Sequence, residues 1–379
     1  MVRIKLLFLL VASSLISNAQ LGLVLNVEQN SLSNTLRARG LADIFIKNEF
    51  PDPSIEAYFG AGDEPFSFQH YQNISLEFFD SIPGQSHWGY EFTNFIEAYA
   101  KHSLFNMLYF GNQVQTTASL DDLHIKRYQV SNLTYSKHYL ANQKNTQLKL
   151  KYKLGLVHNY LLLKNETGSI QNRNEGQEIY LDYDYQLYNS YKSISGLNLG
   201  VDLHLSHFRD KWTYALQLKD VGLMLLSDLN ELARTGDTSY QGVDFIGLLS
   251  GEEQAGIDEY FLNGDTLNSI QFSSAQVFAE ANRKIQNAML DEVGVFYRSY
   301  SIHGNIHSIG LSLLKKFSEH SSLQAQFATG SLSPVEIGLS FSWKMGKHKF
   351  LLGSKQVMAP ILPTFSPGIQ FTLQYHLLP

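Results

Sequence analysis

A few residues in this 379-residue chain have types and spacings that chemistry could use. Asp202 and His204 sit two apart in an alternating stretch, so they share one face of a strand. An Asp–His pair suits a serine hydrolase of the lipid-cleaving kind, but no G-x-S-x-G elbow accompanies it. His303 and His307 are four apart. On a helix that spacing can hold zinc; on a strand, at ~3.3 Å per residue, it separates them by about 13 Å, too far to share a metal. Asn263-Gly-Asp265 lacks the spacing of a calcium-binding EF-hand. The sequence therefore assigns no catalytic residue, no metal site and no cofactor. What remains is charge in alternation. Lys149, Lys151 and Lys153 alternate with Leu148, Leu150, Tyr152 and Leu154, and Asp182 and Asp184 alternate with Leu181, Tyr183 and Tyr185. Three lysines on one strand face are out of place in a packed core but suit a water-filled lumen. The two aspartates are expected to face them across neighbouring strands, as a selectivity ring or as an ion-pair network filling the barrel.

The elements that would position such residues are strands of period two. The clearest is Val335 to Met345. There Leu339, Phe341 and Trp343 are expected on a lipid-facing side, and Glu336, Ser340 and Lys344 on a lumen-facing side. Phe371 and Tyr375 join the lipid-facing set, and Asp202 and His204 the lumen-facing one. Strands are expected near 73–78, 104–110, 123–135, 147–156, 179–187, 197–205, 212–218, 272–281, 291–300, 306–317, 322–330, 335–345, 348–357 and 368–378. Residues 90–103, whose apolar residues do not alternate cleanly, read as a short helix. The slip of alternation at Asp220-Val221 reads as a bulge or a strand end.

The flanks define the class. Residues 1–19 have a charged start at Arg3 and Lys5, an apolar run from Leu6 to Ile16 and small residues before Gln20, the order of a cleaved export signal. Removing Arg3 and Lys5 takes 29 cations to 27 against 35 anions, a net charge near −8 that argues against nucleic acid as a partner. There is no Cys, so no disulfide framework forms. Aromatics make up 13%, which suits the girdles of a membrane barrel.

These features predict an all-β chain: a transmembrane antiparallel β-barrel of about fourteen strands. The organisation expected is a signal at 1–19, an N-terminal segment at 20–72 that plugs the lumen or hangs in the periplasm, and a barrel over 73–379 with a large polar loop at 227–272. An even count places both ends and the short turns (209–210, 318–321, 346–347) on the periplasmic side, with 227–272 and 358–367 outside the cell. The long 164–176 connection, periplasmic by this count, does not fit.

Over roughly 195–378 the chain resembles a FadL-like outer-membrane barrel family of unknown function, found in the Gram-negative phylum that carries the type IX secretion system. The resemblance rests on Asp220-Val-Gly-Leu223, Tyr240-Gln-Gly-Val-Asp-Phe245, Gly294-Val-Phe-Tyr297, His307-Ser-Ile-Gly-Leu311, Phe350-Leu-Leu-Gly353 and Pro367-Gly-Ile-Gln-Phe371. It implies a barrel related to fatty-acid channels and to barrels that accompany secretion machinery, with no catalytic residues to carry over. Tyr375 is followed by His376-Leu-Leu-Pro379, a departure from the terminal aromatic of bacterial barrels. The expected function is non-enzymatic: a channel for small molecules or an accessory subunit of a secretion or assembly machine. Its partners would be outer-membrane lipid and other envelope proteins. The polar faces at Glu336, Ser340, Ser342, Lys344, Gln370, Thr372 and Gln374 favour polar solutes or accessory work. An outer-membrane lipid hydrolase and a secreted soluble β protein are the alternatives.

Overall fold

Alternating apolar and polar residues leave a strand no way to bury its apolar face in water except against another layer; in lipid, the apolar face can turn outward if every backbone group is paired. This chain takes the second solution. The computed structural model describes residues 21–33, 36–37, 65–80, 86–110, 117–139, 145–173, 178–190, 192–241, 265–285, 289–300, 306–330, 335–357 and 368–378.

The strands are β1 (Leu21–Ser33), β2 (Phe66–Asp80), β3 (His87–Ala100), β4 (Thr117–Ser119), β5 (Leu123–Tyr139), β6 (Thr146–Arg173), β7 (Glu178–Asn189), β8 (Gly196–Arg209) and β9 (Trp212–Gln241). They continue with β10 (Asp265–Phe272), β11 (Gln276–Lys284), β12 (Glu292–Tyr300), β13 (Ile306–Ser318), β14 (Ser321–Gly330), β15 (Glu336–Met345), β16 (His348–Ser354) and β17 (Gly368–Leu377). One helix, α1 (His102–Phe110), follows β3.

All pairings are antiparallel, and β1 closes the sheet by pairing with both β17 and β2. The seventeen strands occupy fourteen places in the wall. Three places are each filled by two strands in series: β4 and β5 share a side of β6, β7 and β8 lie along β6 and β9, and β10 and β11 lie along β9. No helix among the described residues is long and apolar enough to cross a membrane; the crossing is made by strands.

The two rims differ. β1 begins and β17 ends at the rim that carries the tight turns at Asp210-Lys211, Glu319-His320 and Gly346-Lys347. Gly346 has φ 59°, the left-handed conformation that glycine adopts freely. Just inside this rim, outward-facing aromatics form a girdle. Trp88 lies against Tyr135 (ring centroids 4.7 Å apart), Trp212 against Tyr214 (6.0 Å), and Trp343 against Phe350 (4.8 Å), which reaches Tyr375 (5.0 Å). At the other rim β6 and β9 run on to 28 and 30 residues. A tilted strand needs about 9–11 residues to span the apolar band, so these two and β7 rise well past it. There α1 and Leu36 cover apolar positions of neighbouring strands: Phe105 packs with Leu36 and Phe68, and Leu104 with Ala118 and Ile170.

Several expectations are corrected. Residues 21–33 and 66–72 are neither plug nor tail but wall strands, paired along their length, Leu21 with Asp80 through Ser33 with Phe68; residues 38–64 lie outside the described residues, as do 1–20. The helix and strand around residue 100 are exchanged. Residues 87–100 form β3 and 102–110 form α1. In β3 Phe95 shares the inward face with Glu91, Thr93 and Glu97, all buried, so a single apolar residue on the polar face hides the period. The 227–272 segment is strand at both ends, since β9 continues to Gln241 and β10 begins at Asp265; only 242–264 lies outside the described residues. The 164–176 connection is mostly wall: β6 continues without interruption to Arg173. The missed β1 had shifted every upstream connection to the wrong side. The 358–367 loop lies outside the described residues.

Candidate functional site

The site is the barrel's interior. β6 brings Lys149, Lys151 and Lys153 inward from the rim with the tight turns. Their aminium groups do not reach the aspartates of β7. They reach across β5 to β2 and β3. Lys149 and Lys151 meet Glu77 at 3.3 and 2.9 Å; Lys151 and Lys153 meet Glu91 at 2.6 and 2.7 Å. β5 permits this because the residues under the lysine stems are small and polar: Asn132, Thr134 and Ser136, all buried. Gly89 on β3 serves the same end, since a Cβ there would stand 2.8 Å from Thr134 Oγ1 and 2.5 Å from the Leu76 carbonyl oxygen.

β9 supplies the other side. Opposite Asp202 the register shifts, and Asp220 takes φ 57°, a left-handed conformation that Asp tolerates. This is a β-bulge, the first of the two readings the sequence offered at that point. Its effect is to turn two consecutive charges inward. Asp220 takes Lys153 at 2.6 Å and accepts the Tyr71 hydroxyl at 3.1 Å; Lys219 meets Glu28 of β1 at 3.3 Å. Asp202 takes Lys153 at 2.9 Å and accepts the Asp220 N–H at 2.7 Å. Lys355, just beyond β16, approaches Glu28 at 3.8 Å. Lys149, Lys151, Lys153, Lys219 and Lys355 thus meet Glu28, Glu77, Glu91, Asp202 and Asp220, five cations against five anions. The contacts Tyr71–Asp220 and Glu28–Lys219 join β2 and β1 to β9, on the far side of the lumen. The result is a charged septum across the barrel.

A second layer stands directly beside the septum. Phe95, Val157 and Met224 are buried, and each lies four residues past a septum residue on its own strand: Glu91, Lys153 and Asp220. Four residues are about 13 Å of strand. With Tyr71, Tyr128, Val130, Tyr160 and Leu229 they form an apolar cluster inside the lumen, in which Phe95 and Tyr128 stack at 4.9 Å. Beside it the wall is interrupted at 273–275. There the chain is held from β5, as the Ser274 N–H donates to Tyr128 Oη at 3.2 Å and Lys126 Nζ to the Phe272 carbonyl oxygen at 2.8 Å.

The residues singled out from the sequence divide accordingly. Lys149, Lys151, Lys153 and Asp202 come together. His204 does not join Asp202 in a dyad; it is exposed beside Lys149, and both Asp202 oxygens are engaged. Asp182 and Asp184 are corrected: they sit opposite Ser169 and Thr167 of β6, about 50 Å of strand from Lys151, and Asp184 accepts the Thr235 hydroxyl at 2.8 Å. β6 is long enough that its lysines and its β7 partner occupy different ends. On β15, Ser340 donates to Gln324 at 3.4 Å, Glu336 is half-buried and Lys344 is exposed. Leu339, Phe341 and Phe371 are exposed and apolar, Trp343 stacks on Phe341 at 5.6 Å, and Tyr375 Oη shares a hydrogen bond with His348 at 2.8 Å. His303 lies outside the described residues. His307 pairs with Tyr297 Oη at 2.7 Å. Among the described residues no group of three acids or histidines is placed to hold a metal.

Sequence reasoning missed Glu28, Glu77, Glu91, Lys219, Asp220 and Lys355. Glu77 had a signal, since Asn73, Ser75 and Glu77 alternate with Ile74, Leu76 and Phe78. The bulge residues had none beyond the broken period.

No protein-family model matches the chain, and no curated protein matches it. Among solved structures it is similar to a deltaS2S3 mutant of TodX, a monoaromatic hydrocarbon channel of Pseudomonas putida, at 9% identity and TM-score 0.44 over 95% of this chain and 91% of that one. It is similar to a Pseudomonas aeruginosa FadL homologue at 8% identity and TM-score 0.38, over 94% and 90%. The translocator domain of the autotransporter NalP from Neisseria meningitidis matches at 7% identity and TM-score 0.35, over 95% and 89%. The likeness to each is one of barrel architecture.

Proposed function

We propose that the protein is an outer-membrane channel that admits a small, largely apolar molecule from the long-strand rim into the apolar part of its lumen. The charged septum then denies that molecule straight passage to the other rim. The observation that carries this reading is the apolar layer stacked beside the septum, built from Phe95, Val157 and Met224 four residues past Glu91, Lys153 and Asp220. Leaving water for an apolar layer is favourable, and crossing a fully paired charged layer is not. The polar faces of β15 and β17 alone favour polar solutes. The opposite wall, β2 through β9, reverses that preference. The short-turn rim, with its girdle, is the periplasmic one in this reading.

The test is uptake of a radiolabelled monoaromatic hydrocarbon by cells that make the protein, against matched cells that lack it. Faster uptake is expected with the wild type, and uptake reduced to background with Met224→Glu in a barrel that remains heat-modifiable on gels. Equal uptake with and without the protein would overturn the reading.

The accessory role remains as a second reading because β6, β7 and β9 rise past the apolar band as a sheet that a partner could grip. Co-purification of an envelope protein, lost when that sheet is shortened, would favour it.

A further inference from the structure

The other half of the lumen holds a cavity of about 190 Å³ that shares Glu28, Lys219 and Lys355 with the edge of the septum and lies apart from the apolar layer. Its wall is charged unevenly. Lys219, Arg298 and Lys355 line it, with Glu28 as the single carboxylate among its lining residues. That carboxylate is shared, one oxygen at 3.3 Å from Lys219 and the other at 3.8 Å from Lys355, so a single anion faces two aminium groups there. Arg298 is 5% exposed. One of its terminal nitrogens donates to Gln326 Oε1, but its Nε–H has no hydrogen-bond partner, and neither has the side-chain amide nitrogen of Gln276, which also lines the cavity. Buried donors are satisfied in the great majority of native sites, so each one left over calls for an explanation, and two that line one cavity suit a bound acceptor. Further carboxylates stand behind the lining: Glu280 and Glu336 within electrostatic range of Arg298, and Asp202 and Asp220 within range of Lys219. They moderate the positive field without occupying the donors.

Two aromatic rings complete the lining beside Gln217, Gln326 and Val277. Phe278 and Tyr300 border the cavity, and the Arg298 guanidinium lies over Phe296 at 4.2 Å and Phe278 at 5.8 Å. At this volume the occupant is smaller than a drug-sized ligand, for which pockets run about 300–1,000 Å³.

We infer that this cavity binds a small organic carboxylate with a ring-sized apolar body. The carboxylate meets the Arg298 Nε–H, the Gln276 amide and the aminium of Lys355, and the ring lies against Phe278 and Tyr300. The site is separate from the apolar layer, so a neutral hydrocarbon and an aromatic acid would be taken in different halves of one lumen.

The experiment is calorimetric titration of the full chain, purified in detergent, with benzoate, benzyl alcohol and inorganic phosphate in turn. Saturable binding of benzoate is expected, with no saturable binding of benzyl alcohol. Loss of one charge-assisted hydrogen bond should weaken benzoate by about tenfold or more. Arg298→Gln should show this, and so should Lys355→Gln, whose position just past a strand end spares the ladder. Heat modifiability confirms that each variant is folded. Phe278→Ala should weaken benzoate while leaving the barrel intact. Absence of saturable benzoate binding by the wild type, binding of phosphate in preference to benzoate, or binding unchanged in both charge variants would each overturn the inference.

Discussion

At the scale of single residues, burial decides which charges matter. Lys153 is 5% exposed and holds Glu91, Asp202 and Asp220 within 2.9 Å. Removing it leaves three carboxylates in the lumen without their common partner. Lys153→Met should therefore destabilise the barrel by about 3–5 kcal/mol, the cost of orphaning buried charge. Lys192 pairs with Asp228 at 2.6 Å, but both side chains are more than half exposed, at 60% and 55%. Lys192→Met should change stability by less than about 1 kcal/mol. Urea titration of the heat-modifiable form checks both, and equal effects would mean that the septum is solvated and open. Outward positions follow another rule. Phe341 is 40% exposed on the lipid side, so Phe341→Arg should cost about 2–4 kcal/mol near the midplane. Ser340, which donates to Gln324 inside, should accept Arg at lower cost. The same titration, in a refolding lipid, separates the two.

At the scale of elements, the β9 bulge and the long strands carry the consequences. The bulge lets Lys219 and Asp220 face inward together. Deleting Lys219 would remove the extra residue and leave Leu218, Asp220 and Val221 alternating as a regular strand opposite Leu203, Asp202 and Val201, with the inward lysine that meets Glu28 lost. That variant is expected to keep the heat shift while unfolding at lower urea. Asp220→Asn, which keeps a side chain tolerant of the left-handed conformation, should keep the heat shift as well. The upper strands are less central to closure. Replacing 230–268 with a short linker removes the β9 partner of β7, residues 230–241, but leaves β8 paired with 212–226 and β11 with 212–219. The shortened protein should still shift on heating, while its β7 region becomes sensitive to protease. Loss of the heat shift would show that the upper sheet is needed for closure.

At the scale of the whole molecule, a barrel of fourteen places is wide enough to conduct if it is empty. This one is crossed by ion pairs linking β3 with β6, β6 with β8 and β9, and β1 with β9, and by the Tyr71–Asp220 hydrogen bond from β2 to β9. In a planar bilayer the wild type should give small conductance, and a combined Glu91→Ala, Lys153→Ala variant should give larger single-channel steps. Removing both members of the 2.7 Å pair opens the septum, with Lys151 keeping Glu77 while Asp202 and Asp220 lose Lys153. Large steps from the wild type itself would mean that the septum parts readily in the membrane.

The sequence by itself was enough for the class: a period of two puts apolar groups on one face whatever the neighbours are, so β15, β13 and β17 could be recognised from their own residues. So could the lysine stripe of β6, because its face depends only on local alternation. The slip at Asp220 was visible too, but its consequence was not, because a bulge acts through the partner strand. Only the tertiary structure decided which carboxylates the lysines meet. Asp182 and Asp184 are nearer in sequence than Asp220, yet register along a 28-residue strand puts them at the far end, while Glu91 arrives from two strands away and Glu77 from three, across the small residues of β5. The same holds for β1, whose mixed residues Asn26, Glu28 and Asn30 look unlike a membrane strand alone. Closing the barrel supplies β2 and β17 as partners for every backbone group, and that pairing, not the apolarity of β1, is what makes it part of the wall.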